Sequence, residues 1–143
     1  RCGDNTYSEI SVTNGDCIGK DAVGLVMRVQ KDTAAGGYGL EISCDGEWRL
    51  MHFREGKSPE IMVDWTASDT IITGKNAMNR LGLWGYQPDF NLFINGQQVG
   101  TARDSKYSYN YGMFAVYVRA HQTYNLTATF DDFAFWQLPY QMK

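Results

Sequence analysis

The chain has 143 residues, of which 43% are hydrophobic and 14% aromatic, and its formal net charge is −3. This length and apolar content fit one domain over residues 1–143 with one packed core, and they exclude intrinsic disorder. The 13 basic residues are scattered and the apolar runs are short, which argues against nucleic-acid binding and against insertion into a membrane.

Alternation of apolar and polar residues with a period of two dominates the chain. Ile10 and Val12 alternate with polar neighbours, and residues 23–29 are nearly all apolar, as in a strand buried on both faces. Two hairpins follow, with turns at residues 45–46 and 95–96. Weaker alternation predicts further strands around residues 61–66, 81–83, 114–118 and 126–130. About ten short strands without helical periodicity predict an all-β fold, a two-sheet antiparallel jelly-roll sandwich.

Three cysteines are an odd number. We favour a disulfide between Cys17 and Cys44, because both lie where predicted strands meet turns; the alternative is that the thiols are simply buried in the core. A disulfide implies an oxidising compartment, and hence an extracellular or cell-surface location. Cys2 is then left over, either as a free thiol or bonded to a segment or chain outside this sequence.

Eight short motifs follow one another along the chain. They are CIGKD at 17–21, GLVMR at 24–28, YGLEISCDG at 38–46, VDWT at 63–66, NRLG at 79–82, FING at 93–96, GMF at 112–114 and FDDF at 130–133. This order resembles the concanavalin A-like lectin/glucanase superfamily, in particular laminin-G-like modules and the domains of secreted bacterial proteins described as keto-disaccharide hydrolases. The resemblance implies a concanavalin A-like sandwich and pairing of the cysteines at positions 17 and 44.

The resemblance also implies a difference at the start of the chain. Domains of this superfamily begin with two or three strands ahead of the stretch that matches residues 7–13. An uncovered sheet edge is seldom tolerated in a folded protein. We therefore hypothesise that the leading strands are supplied by another chain or by an upstream segment, with Cys2 as a candidate for a covalent link.

Catalytic groups are not expected in this chain. Glucanases of the superfamily place acidic residues alternately on one strand, and the nearest match is Glu41, Asp45 and Glu47. A turn after Asp45 separates Glu47 from that strand, so we interpret Asp45 as a turn former and Glu41 as a solvent-facing residue. His52 and His121 have no partner at metal-ligand spacing and are interpreted as surface residues. We expect no enzymatic activity.

Paired carboxylates give one weak candidate for a metal site. Asp131 and Asp132 are adjacent, and clustered carboxylates suit Ca²⁺. Asp64 and Asp104 are further candidates that no motif links to the pair. The alternative is that one aspartate bonds a strand end while the other is solvated. No other cofactor is expected.

The most suggestive feature for binding is a group of tyrosines. Tyr107, Tyr109 and Tyr111 are spaced by two residues, so a strand would place them on one face. Sugars stack their C–H faces on exposed rings while polar side chains bind the hydroxyls. We therefore expect a glycan site or a contact with another protein chain here; the alternative is that the rings fill the core. We place Trp48 and Trp65 in the core. The candidate site also includes Trp84, Tyr86, Gln87, Arg103 and Asn110.

The first functional hypothesis is a non-catalytic carbohydrate-binding or adhesion domain of a secreted or cell-surface bacterial protein. The alternative is a structural subunit of a surface layer or filament, completed by strands from a neighbouring chain. The N-glycosylation triplet that begins at Asn125 is expected to be unoccupied.

Overall fold

The structure is a computed structural model that describes residues 5–30 and 36–139. The predictions about Cys2 therefore lie outside the described residues. The strands are β1 (Asn5–Asn14), β2 (Ala22–Val29), β3 (Gly37–Ser43), β4 (Glu47–Phe53), β5 (Glu60–Ala67), β6 (Met78–Tyr86), β7 (Asp89–Ile94), β8 (Gln97–Arg103), β9 (Met113–Arg119) and β10 (Ala128–Gln137). The described ranges hold no helix that could cross a membrane.

The strands form two five-stranded antiparallel sheets. The first sheet has the order β10-β1-β6-β7-β8 and the second has the order β5-β4-β3-β2-β9. The all-β, two-sheet prediction is therefore confirmed. β1 lies inside the first sheet, paired with β10 on one side and β6 on the other. The edge strands are β10 and β8 in the first sheet and β5 and β9 in the second.

The core lies between the sheets and is built by the alternation that the sequence shows. Leu40 and Leu50 of the second sheet and Leu83 and Leu92 of the first are fully buried, because each points inward while its sequence neighbours point outward. All eight residues of β2 are buried, as predicted for a strand covered on both faces. Trp48 belongs to this core, which confirms its placement.

Turn chemistry and the disulfide also agree with the sequence. Asn95 and Gly96 both have positive φ, 53° and 81°, which is the geometry of a type I′ hairpin turn. Cys17 and Cys44 are bonded, with their Cα atoms 5.8 Å apart, so this prediction is confirmed. The bond joins the segment ahead of β2 to the end of β3.

Asp21 ties the same region to the loop between β9 and β10. Its buried carboxylate accepts hydrogen bonds from the backbone N–H groups of Ile18, His121 and Gln122 and from the Thr123 hydroxyl. Burial of the carboxylate raises its pKa, because it disfavours the charged form. The hydrogen-bond donors outweigh burial and hold the pKa of Asp21 far below its ordinary value. A single carboxylate thus fixes two loops.

One long side of the sandwich, between β9 and β10, leaves inward-facing apolar side chains in contact with solvent. Val116 lies opposite core residue Leu25, yet it is 40% exposed. Phe133 and Phe135 are 42% and 49% exposed, and both rings lie 5.1 Å from the ring of Phe114. The interior of the sandwich is therefore only half covered along this side.

Candidate functional site

The outward face of the first sheet carries a row of aromatic rings. Tyr7 lies opposite Trp84 on β6 and opposite Trp136 on β10. The ring of Tyr7 is 5.7 Å from those of Phe93 and Trp136. Leu83 and Leu92, the strand neighbours of Trp84 and Phe93, point into the core, so these rings point outward. We call Tyr7, Trp84, Phe93 and Trp136 the aromatic platform.

The indole of Trp84 is held in place by a hydrogen bond. Its Nε1–H group donates to Asn5 Oδ1 at 2.9 Å, and the Asn5 amide donates in turn to the Pro139 carbonyl at 3.0 Å. Asn5 is itself buried. The ring therefore has a fixed orientation before any ligand arrives, which lowers the entropic cost of stacking on it.

Tyr7 is held by a second network on the same face. Its hydroxyl donates to Glu9 Oε2 at 2.8 Å, and Arg80 Nη2 donates to Glu9 Oε1 at 2.8 Å. Burial and the bond to Glu9 raise the pKa of Tyr7. Burial opposes ionisation of Glu9, but the donors from Arg80 and Tyr7 lower its pKa overall. Gly82 lets the Tyr7 ring lie along the sheet, because a Cβ atom there would be 2.3 Å from the hydroxyl.

Two adjoining hollows share Trp84. The first, of about 340 Å³, is lined by apolar side chains only: Tyr7, Trp84, Phe93, Trp136 and Leu138. The second, of about 460 Å³, also contains Trp84 but has a polar lining that includes Asp89, Asn91, Thr101 and Arg103. An apolar and a hydrogen-bonding surface therefore meet at one tryptophan, which matches a ligand with one apolar side and many hydroxyl groups.

The outward face of the second sheet has a different chemistry. Glu41 is fully buried and lies between two arginines, with Oε1 2.8 Å from Arg49 Nε and Oε2 3.2 Å from Arg119 Nε. The guanidinium of Arg49 stacks 4.3 Å from the Trp65 ring. Two predictions are wrong here: Glu41 does not face solvent, because its charge is compensated by arginines, and Trp65 is not in the core but half-buried beneath cations on the outer face.

Glycines bring two further rings down onto this second face. A Cβ atom at Gly24 would be 2.4 Å from the Tyr117 ring, and one at Gly39 would be 2.7 Å from the Phe53 ring. Burial, and then the charge of Glu41, raise the pKa of Tyr117. The Phe53 and Tyr117 rings lie 5.6 Å apart and line an apolar hollow of about 390 Å³ together with Val26 and Ala115, whose described lining has no tryptophan and no cluster of polar side chains.

The structure separates the predicted site into two groups. Trp84, Tyr86 and Arg103 line the polar hollow of the first sheet. Gln87 and the tyrosines lie at one end of the sandwich around Arg28, whose Nη1 donates to the carbonyls of Gln87 and Tyr109 at 2.7 and 3.2 Å. The guanidinium lies 5.9 Å from the Tyr107 ring.

The tyrosines do not share a strand face, because residues 104–112 form a loop ahead of β9. Tyr109 packs edge-on against Tyr38 and His52, next to the core. Tyr111 and Asn110 are exposed. His52 is buried and stacked on Tyr38, so its interpretation as a surface residue is wrong; the exposed His121 fits that interpretation.

The described residues do not gather three potential metal ligands at any place. Asp131 Oδ1 accepts the backbone N–H of Asp132, and Asp132 Oδ2 lies 3.5 Å from Arg80 Nη1. Asp64 bonds the Trp65 N–H, and Asp104 bonds the Tyr38 hydroxyl. Each of these four carboxylates therefore has a partner within the protein. Asp131 and Asp132 are adjacent to each other, and Asp64 and Asp104 lie on other strands or loops.

Solved structures similar to this chain are proteins with lectin-like sandwiches. A carbohydrate-binding module, CBM66 of Bacillus subtilis, matches 94% of the chain over 76% of its own length, with a TM-score of 0.74 and 18% identity. Sheep galectin-11 matches 93% of the chain over 90% of its own length, with a TM-score of 0.61 and 12% identity. No protein-family model and no curated protein sequence matches the chain.

A GH43 protein of Bacillus licheniformis has a TM-score of 0.68 and 9% identity, and the chain corresponds to only 28% of its length. At these identities the comparisons establish the sandwich fold. The resemblance to lectin-like folds is therefore confirmed at the level of architecture.

Sequence reasoning missed most of the aromatic platform. The apolar residues near the end of the chain, Phe133, Phe135 and Trp136, are predicted from the sequence to close the core together, but Trp136 is 48% exposed on the outer face. Tyr7 and Phe93 were not singled out. The available signal was the alternation itself, because Tyr7 precedes buried Ser8 and Phe93 lies between buried Leu92 and Ile94.

Proposed function

We propose that this chain is one non-catalytic, carbohydrate-binding domain of a secreted or cell-surface bacterial protein, and that it binds its glycan on the aromatic platform. The observation that carries the proposal is the junction of an apolar and a polar hollow at Trp84. A sugar ring stacks its C–H face on an indole while polar side chains beside it bind the hydroxyls.

The fold supports the same proposal. Proteins named as a carbohydrate-binding module and as galectins share the sandwich, and the disulfide is compatible with an extracellular location. The exposed tyrosine loop remains a second predicted contact, with Tyr111 as its most accessible ring. It lies beyond Arg28 and Gln87, at the end of β6 that also carries Tyr86.

The experiment is a glycan array followed by calorimetry on the ligand that binds best. We expect Trp84→Ala to weaken binding by at least about tenfold, as for a central aromatic contact. The matched control is Trp65→Ala, which removes the same side chain from the opposite face and should leave the affinity unchanged within about twofold. Absence of binding to every glycan, or an equal loss in the control, would contradict the proposal.

A second candidate function is a structural subunit completed by a strand from a neighbouring chain. The uncovered side at β9 favours it. Residues 113–118 of this edge strand are uncharged, whereas β5 carries Asp64 and β10 carries Asp131 and Asp132, and charges on edge strands block pairing with other strands. The apolar edge and the half-exposed phenyl rings beside it suit an added strand.

Sedimentation at increasing protein concentration tests this second candidate. Assembly should appear in the natural chain and disappear when Met113→Lys and Val118→Lys place two charges on the β9 edge. The control, Gln97→Lys, places a charge on the opposite edge at β8. A monomer at all concentrations, or equal behaviour of the two variants, would count against a subunit role.

A further inference from the structure

A basic cleft lies where the edge strands β5 and β8 approach each other. It has a volume of about 520 Å³ and is lined by these strands, by the loop that follows β8 and by the segment between β4 and β5, which carries Arg54 and Lys57. Its cationic side chains are Arg54, Lys57, Arg103 and Lys106, and its carboxylates are Glu60 and Asp104. Four positive and two negative groups stand out in a chain whose net charge is −3.

The two carboxylates of the cleft are bonded within the protein. Asp104 is buried and accepts hydrogen bonds from the Tyr38 hydroxyl and from the N–H groups of Lys106 and Ser108. Burial opposes its ionisation, but these donors lower the pKa of Asp104. Glu60 Oε1 lies 3.4 Å from His52 Nδ1. Asp104 therefore directs its oxygens toward the protein, whereas Glu60 is 54% exposed and is the one acidic group of the cleft that faces its four cationic side chains.

Three of the four cationic groups are less engaged, whereas Arg54 donates two hydrogen bonds to the Ser58 carbonyl. Lys57 and Lys106 are exposed and make no ion pair with any residue that the structure describes. Arg103 pairs with Asp89 at 3.2 Å, but both side chains are about half exposed or more, and such pairs exchange readily for another anion. The cleft can therefore offer positive charge to a ligand.

The basic cleft is continuous with the proposed sugar site. Thr101, Ala102 and Arg103 line both the cleft and the polar hollow beside Trp84. A saccharide chain that stacks one ring on Trp84 can therefore continue across β8, and its next residues then lie beside Arg103, Lys106 and Lys57.

We infer that the glycan of this domain is anionic. One sugar stacks on the aromatic platform, and a neighbouring sugar carries a carboxylate or sulfate group that Lys57, Arg103 and Lys106 bind. The inference rests on the proposed function and adds the class of ligand, because a neutral glycan would use the platform and leave the cleft's charges unpaired.

Two matched pairs of polysaccharides test the inference by calorimetry: polygalacturonate against its methyl ester, and dextran sulfate against dextran. Each pair differs in charge while its backbone is the same. We expect the anionic member to bind at least about tenfold more tightly, and the gain to shrink in 0.5 M NaCl because salt screens exposed charges. The pair that shows the larger gain identifies the group as carboxylate or sulfate.

The double variant Lys57→Gln, Lys106→Gln separates the cleft from the platform. It should weaken the anionic ligand by about fivefold to tenfold and leave the neutral one unchanged. Lys75→Gln is the matched control, because Lys75 is exposed and pairs with Asp16 outside the cleft; it should change neither affinity beyond about twofold.

Four outcomes are decisive. Equal affinity for the charged and neutral members of both pairs overturns the inference, and so does an equal loss in the Lys75 control. A third result is that Trp84→Ala abolishes binding of a neutral glycan while the charged and neutral polysaccharides bind with equal affinity. That result supports the proposed function and refutes the inference that the ligand is anionic. If the lysine variant abolishes binding and Trp84→Ala has no effect, the cleft binds anions but the platform is not the sugar site.

Discussion

The two outward faces of this sandwich both carry tryptophan, tyrosine and phenylalanine, but they use these rings differently. On the first sheet, Trp84 and Tyr7 are fixed through their polar atoms, and their ring faces line open hollows. On the second sheet, Trp65 is covered by Arg49. Under the proposed function, the rings that bind the ligand are those whose polar edge is bonded within the protein and whose face lines an open hollow.

The acidic residues of the two faces differ in the same way. Glu9 on the first face is partly exposed and bonds Tyr7 and Arg80, whereas Glu41 on the second is completely buried between two arginines. The first arrangement orients a ring, and the second compensates a charge inside the fold. We expect the first face to determine affinity and the second to determine stability.

Reduction of the Cys17–Cys44 bond should have the largest effect on stability. The cysteines are 27 residues apart, so opening this loop should lower the free energy of unfolding by about 3–4 kcal/mol in the chain-entropy model. Urea unfolding with and without reductant measures this. Below the unfolding transition, ligand affinity should be unchanged, because the bond lies away from the platform. A loss of affinity in the folded, reduced protein would contradict the claim that the first face alone determines affinity.

Removal of the Glu41 charge should have the next largest effect. Glu41→Gln leaves two arginines without their buried partner, which we expect to cost about 2–3 kcal/mol in the free energy of unfolding. The control is Glu9→Gln, which removes a charge from the partly exposed network of the first face and should cost less than about 1 kcal/mol. Denaturant titration of both variants checks the order, and a reversed order would contradict the comparison.

Acid should act mainly through Asp21. Because its pKa is lowered in the folded protein, its contribution to stability is complete well above its ordinary value of 3.8. It is lost as the pH falls below that value toward the folded-state pKa. Asp21→Asn should cost about 2 kcal/mol at neutral pH and flatten the loss of stability on acidification. The measurement is urea unfolding from pH 7 to pH 2, and an unchanged acid slope would refute this role.

The smallest expected effect on stability is at Gly82. Its Cβ atom in Gly82→Ala would be 2.3 Å from the Tyr7 hydroxyl, at the far end of a side chain that can move, and 3.2 Å from the Phe93 Cβ. We therefore expect a loss of about 1 kcal/mol and a tilt of the Tyr7 ring away from the sheet. Glycan affinity should fall by more than the stability change suggests. Gly100→Ala is the contrasting variant, because its Cβ would meet the ring of core residue Trp48 and should mainly reduce stability.

The sequence predicted the framework well because local patterns determine it. The hairpin turns at residues 45–46 and 95–96, the alternation in the strands and the cysteine pair at strand ends each depend on neighbouring residues. The platform could not be predicted in this way, because Tyr7, Trp84 and Trp136 are far apart in sequence and meet only through the register of β1 with β6 and β10. Spacing therefore drew attention to the tyrosine loop instead.

The burial of Glu41 and of His52 was also missed in the sequence. Glu41 alternates with apolar residues as a solvent-facing glutamate would, and only the spatial approach of Arg49 and Arg119 makes its burial tolerable. The interpretation of His52 as a surface residue rests on its residue type, although it shares the alternating face of β4 with Trp48 and Leu50. Its ring is buried and stacked on Tyr38.

Asn5 joins Trp84 to Pro139 through its two amide atoms, so residues from opposite ends of the described chain orient the indole. A protease that trimmed the polypeptide past either residue would release this ring while the buried leucines stayed packed. Ligand affinity would then fall after a cut next to Asn5 or Pro139 well before any unfolding became visible.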